Sequence, residues 1–434
     1  MSQIALSSND VSISYLELHN HLEPKIKKLR QHGLTNHRVM IIGEKNYKTI
    51  EDYLWVLAVI ENGGCVITVS KKCSPTEIDE KCKITNCTAI IYQDKITLNL
   101  DPENYTREKN EIFLCFTSGT SGKKTYEYYP YFLKNQGEFG TSVLDCISLA
   151  QKIGCAKPLN QIVECGFEVA YNIDSFLKSY YSGGRFHFVN NLKDVNDGIK
   201  IANVNYISGF PNSIKRIIDH TNYHVPYWEI GGGQINKNLI DTIFNNASPK
   251  SVCNLFASAK SGYTLYSVIN HKDHFDQLQK MIPTDFTQIK LENNYLYFKP
   301  KSQQWETDYD IFEINDKKYV YNGRRSDTFF QTQQGVKINP YEIENYCKKI
   351  NFVNNAYIGL ENSQPVLYLS INKNSIDKEK ILTDHLSLLP DYKKPKKIYY
   401  VYDDLFATNI KVSRHLLNLL IKKKPYACYH TQLL

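Results

Sequence analysis

Residues 38–69 read RVMIIGEKNYKTIEDYLWVLAVIENGGCVITV, and this stretch decides the fold class. Arg38-Val39-Met40-Ile41-Ile42 is a short continuous apolar run, the pattern of a strand buried on both faces. Tyr47 to Glu61 changes to a helical period and stops at Asn62-Gly63-Gly64. Cys65-Val66-Ile67-Thr68-Val69 is the next buried strand. A strand, a helix of this length and a second strand make the unit from which parallel sheets are built.

The alternation extends in both directions. Upstream, Ser14 to Gly33 carries Leu16, Leu18, Leu22, Ile26 and Leu29 at helical spacing and ends on a glycine. Downstream, Thr76 to Lys83 is helical, and Ala89-Ile90-Ile91-Tyr92 and Ile112-Phe113-Leu114-Cys115-Phe116 are strands. Further strand–helix units are expected at 204–207, 228–230 and 251–254. The chain is therefore expected to be α/β with a largely parallel sheet. From about 290 to 322 the pattern becomes a β-meander: 295–298, 311–314 and 319–321. Gly323-Arg324-Arg325-Ser326-Asp327 is a charged, hinge-like cluster, and the remaining residues form a compact α+β unit. Two domains are expected, 1–325 and 326–434.

At about 150 residues per domain, 434 residues allow roughly three packing units, or one large domain and a small one. The 52 Lys and Arg against 45 Asp and Glu give +7, too mild for a nucleic-acid face but helpful to an anionic ligand. Thirty-two tyrosines speak against disorder. The longest apolar run, Tyr53 to Ile60, is too short to cross a bilayer, so no membrane partner is expected. Met1 to Ser12 has no signal-peptide pattern, and the 11 scattered cysteines lack any C-x-x-C pair, which fits reduced thiols in a cytoplasmic protein. Cys73, Cys82 and Cys87 match no zinc spacing.

Thr117-Ser118-Gly119-Thr120-Ser121-Gly122-Lys123-Lys124 follows a buried strand directly. Its glycines allow close backbone approach, and its hydroxyls, amides and lysines suit a polyphosphate. A Walker A loop would need glycine at 117, where Thr stands. Thr117 to Gly122 resembles instead the T-S-G-T-T-G phosphate loop of the adenylate-forming superfamily: acyl- and aryl-CoA synthetases, adenylation domains and luciferase-type enzymes. Gly323-Arg324 with Asp327, then Gly335 to Glu344, is similar to that family's G-R-x-D…G-x-x-I-x-P-x-E-I-E hinge segment. Leu389-Pro390-Asp391-Tyr392 to Pro395, then Thr408 to Arg414, resembles its L-P-x-Y-x-x-P…T-x-N-G-K-v-x-R tail.

The resemblance, running in order along nearly the whole chain, implies the family's two-domain fold and its chemistry. ATP and a carboxylic acid give an acyl adenylate and pyrophosphate, and the acyl group passes to a CoA or phosphopantetheine thiol. It implies Lys411 as the catalytic lysine, Asp310 as the ribose ligand, and Arg324 on phosphate or ribose. The N-x-Y-G-x-T-E block corresponds to Asn254-Leu255-Phe256-Ala257-Ser258-Ala259-Lys260. Phe256 can stack on adenine and Ser258 supplies a hydroxyl, but Lys260 stands where the family has a glutamate that helps to hold Mg²⁺. Three readings are open: Lys260 meets phosphate in place of the metal, the site has lost efficient Mg·ATP handling and only binds, or Lys260 is solvated. Gly231-Gly232-Gly233-Gln234 resembles the G-G-E segment at the adenine and acyl pockets. The acyl pocket should also draw on Phe167 to Tyr171, where Glu168 could imitate the ammonium-binding Asp of amino-acid-activating relatives. The expected substrate is a fatty or aryl acid, with an acyl or peptidyl carrier protein as a possible partner. The alternatives are an amino-acid adenylation enzyme and a non-catalytic nucleotide- or acyl-binding relative.

Overall fold

The computed structural model describes residues 3–433 except 9, 44–48, 72, 101–109, 117–127, 135–138, 157, 164–166, 168, 190–191, 234, 259, 300–303, 325–329, 332–336, 339, 362–363, 372–377, 390–393 and 402–427. The deciding stretch folds as read. Arg38–Gly43 and Cys65–Ser70 are parallel neighbours, joined through the helix Ile50–Glu61. Thr49 starts that helix: its side chain accepts from the Asp52 amide while the Asp52 carboxylate accepts from the Thr49 amide, which satisfies amides that the helix leaves unpaired. The same device starts Tyr15–Gln31 at Ser14 and Pro75–Thr85 at Ser74. Gly33 and Gly63, just past two of these helices, have φ of 71° and 78°, where a glycine carries no steric penalty.

One largely parallel sheet was expected; the described strands form two large ones. In the first, a seven-stranded sheet, Ala89–Tyr92, Arg38–Gly43, Cys65–Ser70 and Glu111–Phe116 are parallel, and antiparallel strands flank them. In the second, of thirteen strands, Ile4–Ser7, Phe186–Phe188, Gln161–Val163, Tyr206–Gly209, Tyr227–Gly231 and Ser251–Ser258 lie parallel in that order. The physical reason for two sheets lies in the helix Ala170–Ser182. Every residue from Asn172 to Ser179 is buried, so the helix needs cover on all sides. Tyr53, from the helix Ile50–Glu61, packs its ring 4.8 Å from Phe176 and 4.5 Å from Phe188. These two helices thus join one core drawn from both sheets.

A second departure follows Ser251–Ser258. A strand–helix unit was expected, but the chain turns back as the antiparallel strand Gly262–Ile269. Gly262 has φ of 65°, and a Cβ there would meet the Gly140 carbonyl oxygen at 2.8 Å. The meander is as expected: Gln288–Glu292, Tyr295–Lys299, Glu306–Asn315 and Lys318–Arg324 pair antiparallel in sequence. Beyond it, Val353–Glu361, Gln364–Ile371, Lys397–Val401 and Cys428–Leu433 form a separate four-stranded sheet. The helices Pro340–Lys348 and Lys378–Ser387 supply Ile343, Cys347, Leu382 and Leu386 to a core with Val353, Leu367, Leu369 and Ile398.

Candidate functional site

In open α/β sheets, ligands bind beyond the carboxyl ends of the parallel strands. Three neighbouring strands of the larger sheet end together: Tyr206–Gly209, Tyr227–Gly231 and Ser251–Ser258. Gly209, Gly231 and Phe256 with Ser258 therefore lie at one edge. A Cβ on Gly231 would overlap the Tyr171 hydroxyl and would meet the Leu255 carbonyl at 2.7 Å, so glycine is what lets Tyr171 lie against this strand. The Tyr171 ring meets Phe210 edge-on at 4.8 Å. A Cβ on Gly233 would approach Pro211 to 3.1 Å. Tyr171, Phe210 and Gly231 to Gly233 thus form an aromatic and glycine-lined floor. Burial pushes the Tyr171 hydroxyl well above the usual tyrosine pKa, and the charges of Glu229 and Asp174 add to it.

The next strands carry the groups nominated for nucleotide. Phe256 sits 5.0 Å from Phe312 and 5.8 Å from Tyr321, the latter tilted by 38°. Asp310 is buried, and its Oδ1 accepts from the Tyr321 hydroxyl at 3.4 Å. Arg324 stands opposite Asp310 in the antiparallel register. Tyr321 therefore links Phe256 and Asp310, which come from different strands, and the backbone pairing sets Arg324 opposite Asp310. Sequence reading missed Tyr321; its signal was the alternation Tyr319, Tyr321 in the meander. Asn254 Nδ2 donates to the Leu278 carbonyl at 2.9 Å and anchors the start of the block.

Ser258 accepts from the Ser261 amide at 2.9 Å and faces the Ser261 hydroxyl at 3.0 Å, so its oxygen shapes the turn. Lys260 is in that turn, four-fifths buried. Its ammonium is ion-paired with Glu306 and lies 5.8 Å from the Phe139 ring centroid. Its carbonyl accepts from the Gly140 amide at 2.9 Å, which ties the turn to the start of Thr141–Ser142 in the other sheet. Of the three readings of Lys260, the simply solvated one is set aside.

Thr117 to Lys123, Glu168 and Lys411 lie outside the described residues. The strands on either side of 117–127 are described, and Phe116 and Tyr128 are paired there on the smaller sheet. Among the described residues no three His, Cys, Asp or Glu side chains converge as a metal group, and no helix is long and apolar enough to cross a membrane.

Behind the floor is a polar cluster that sequence reading missed. Lys178, fully buried, reaches Asp174 Oδ2 at 2.9 Å, Glu229 Oε1 at 3.3 Å and the Tyr263 hydroxyl at 3.3 Å. Tyr206 donates to Glu229 Oε2 at 2.6 Å, and Tyr263 donates to Asp174 Oδ2 and Glu229 Oε1 at 3.0 and 3.1 Å. Burial works against the lysine's charge, but the two carboxylates outweigh it and hold its pKa above the ordinary value. In sequence, Asp174 and Lys178 read as a surface i,i+4 pair. The available signal was the unbroken buried character around them.

No family model matches this chain, and no curated protein matches its sequence. Solved structures do. O-succinylbenzoate coenzyme A synthetase from Bacillus subtilis, in complex with ATP and magnesium ion, superposes with a TM-score of 0.72 at 17% identity, over 96% of this chain and 97% of that one. A mutant form of coronafacic acid ligase from Pectobacterium brasiliense gives 0.66 at 14%, over 100% and 97%. A four-domain nonribosomal peptide synthetase bound to AMP and glycine gives 0.70 at 15%, over 92% of this chain and 34% of that one.

Proposed function

We propose that this chain, which has the fold of the adenylate-forming superfamily, activates a carboxylic acid with ATP and passes the acyl group to a thiol. The observation that carries the proposal is that Phe256, on the strand paired with Gly231, packs against Phe312 and Tyr321, while Asp310 accepts from Tyr321 and stands in register with Arg324. In this reading Phe256 meets the adenine and Asp310 accepts from ribose hydroxyls. Gly233 and its neighbours let the backbone approach the base, and Thr117 to Lys123 cradle the phosphates. The acid lies over Tyr171 and Gly231, with Glu168 nearby. Its carboxylate attacks the α-phosphate, pyrophosphate leaves, and Lys411 offers a cation where negative charge accumulates. Lys411 arrives with a unit spanning 326–434, which turns about 325–327 between adenylation and transfer. The acceptor is CoA or a carrier-borne phosphopantetheine, and a fatty or aryl acid is favoured over an amino acid.

Magnesium fits the described donors poorly. An ammonium occupies position 260, and Glu306, the adjacent carboxylate, is engaged by it. No step is therefore assigned to the metal; Lys260 supplies positive charge beside the phosphates. The same pairing favours a second reading, an adenylate-forming relative that binds nucleotide or acid without turnover. ATP–pyrophosphate exchange across fatty, aryl and amino acids separates these. Exchange with one acid class supports the ligase and names its substrate; nucleotide binding without exchange for any acid supports the second reading.

A further inference from the structure

The cluster behind the floor holds one ammonium and two carboxylates. Asp174, Lys178 and Glu229 are at most 2% exposed, and among the described residues their contacts bring no second cation. Among the described residues no group donates a hydrogen bond to the buried Asp174 Oδ1. A buried charge is poorly screened, and its field extends farther than a surface charge's.

The field has a direction. Glu229 and Gly231 are two residues apart on one strand and so face the same side, roughly 7 Å apart along it. Asp174 follows Tyr171 by three residues on its helix, which puts the two on one face about 5–6 Å apart at Cβ. The pair that forms the crevice floor, Tyr171 against Gly231, therefore stands directly in front of the pair that carries the surplus.

We propose that this buried cluster is an electrostatic selectivity element, restricting the enzyme to monocarboxylic acids whose far end is neutral or cationic and rejecting those with a second carboxylate there. The inference rests on the proposed acid site and adds its substrate class. Asp174, Lys178 and Glu229 act through the floor; none of them touches the acid.

The test uses two non-reactive acyl-sulfamoyl adenosines of equal chain length, one ending in a carboxamide and one in a carboxylate, with affinities measured calorimetrically. Wild-type protein is expected to bind the carboxamide at least tenfold tighter. Glu229→Gln removes one charge and keeps the shape, because the Tyr206 hydroxyl can rotate to accept from the new amide. That variant is expected to cut the preference at least fivefold with no loss of thermal midpoint. Asp174→Asn is the second variant, with the same expectation should Glu229→Gln fold poorly. Equal binding of both analogues by wild type, or an unchanged preference in the folded variant, overturns the inference and leaves the proposed function standing. Wild type that binds neither analogue overturns both.

Discussion

Asp310 and Arg324 face each other across two antiparallel strands, although 14 residues separate them in the chain. A bulge beside this pair shifts the register between Ile311 and Phe312, so the two nominated residues oppose each other where the meander bends. Both strands pass beside Phe256, through the mid-strand pair Phe312 and Tyr321. Strand pairing thus sets Asp310 opposite Arg324 and brings Phe312 and Tyr321 against Phe256, the residues to which the proposed function gives nucleoside roles.

Asp310→Asn should therefore raise the KM for ATP by at least tenfold with a smaller effect on the KM for the acid. Steady-state kinetics with each substrate varied in turn measure the split. A buried, hydrogen-bonded carboxylate with no part in nucleotide binding would change both together.

Gly231→Ala places a methyl group on the Tyr171 hydroxyl and the Leu255 carbonyl. The Leu255 oxygen is backbone and cannot give way, so Tyr171 or the strand must shift. Loss of acid-dependent exchange by at least a hundredfold, with AMP binding retained, is the expected outcome by calorimetry and exchange assay.

Lys260→Ala removes a partly exposed ion pair, and such pairs contribute about 0–1 kcal/mol. Little change in thermal midpoint is expected, together with a marked fall in ATP affinity. Lys260→Glu should make exchange respond more steeply to magnesium. Equal magnesium titrations of the wild type and Lys260→Glu would remove the phosphate role given to this lysine.

Acid should destabilise the protein through His187. Burial first, then Arg185, lowers its pKa from 6.5 to about 4, so the folded chain holds it neutral. Its Nδ1 meets the Ser7 hydroxyl at 2.9 Å, and Gly198 leaves room for the ring: a Cβ there would meet Cδ2 at 2.8 Å. The unfolded chain binds the proton first as pH falls below 6.5. Stability is therefore full above that pH and drains until about pH 4, by about 3 kcal/mol at 1.36 kcal/mol per unit. Urea titrations from pH 7.5 to 4.5 should show this slope in wild type and a flatter one in a folded His187→Gln variant.

Much of the architecture was legible because it is written in local periods. The strand and helix of residues 38–61 and the meander each follow from side chains near in sequence. The division into two sheets was not, because Asn172 to Ser179 declares its burial only through partners such as Glu229 and Tyr263, 51 and 85 residues beyond Lys178. The same holds for the site. Phe256, Asp310 and Gly231 were visible as motif positions, whereas Tyr321 and Glu306 acquire meaning only when strand pairing brings them to Asp310 and Lys260.

Acid activation is tested by acid-dependent ATP–pyrophosphate exchange in wild type and Lys411→Ala. Exchange is expected with at least one monocarboxylic acid, falling by at least a hundredfold in Lys411→Ala while ATP affinity changes little. Saturable binding of ATP and acid with no exchange in wild type would contradict it.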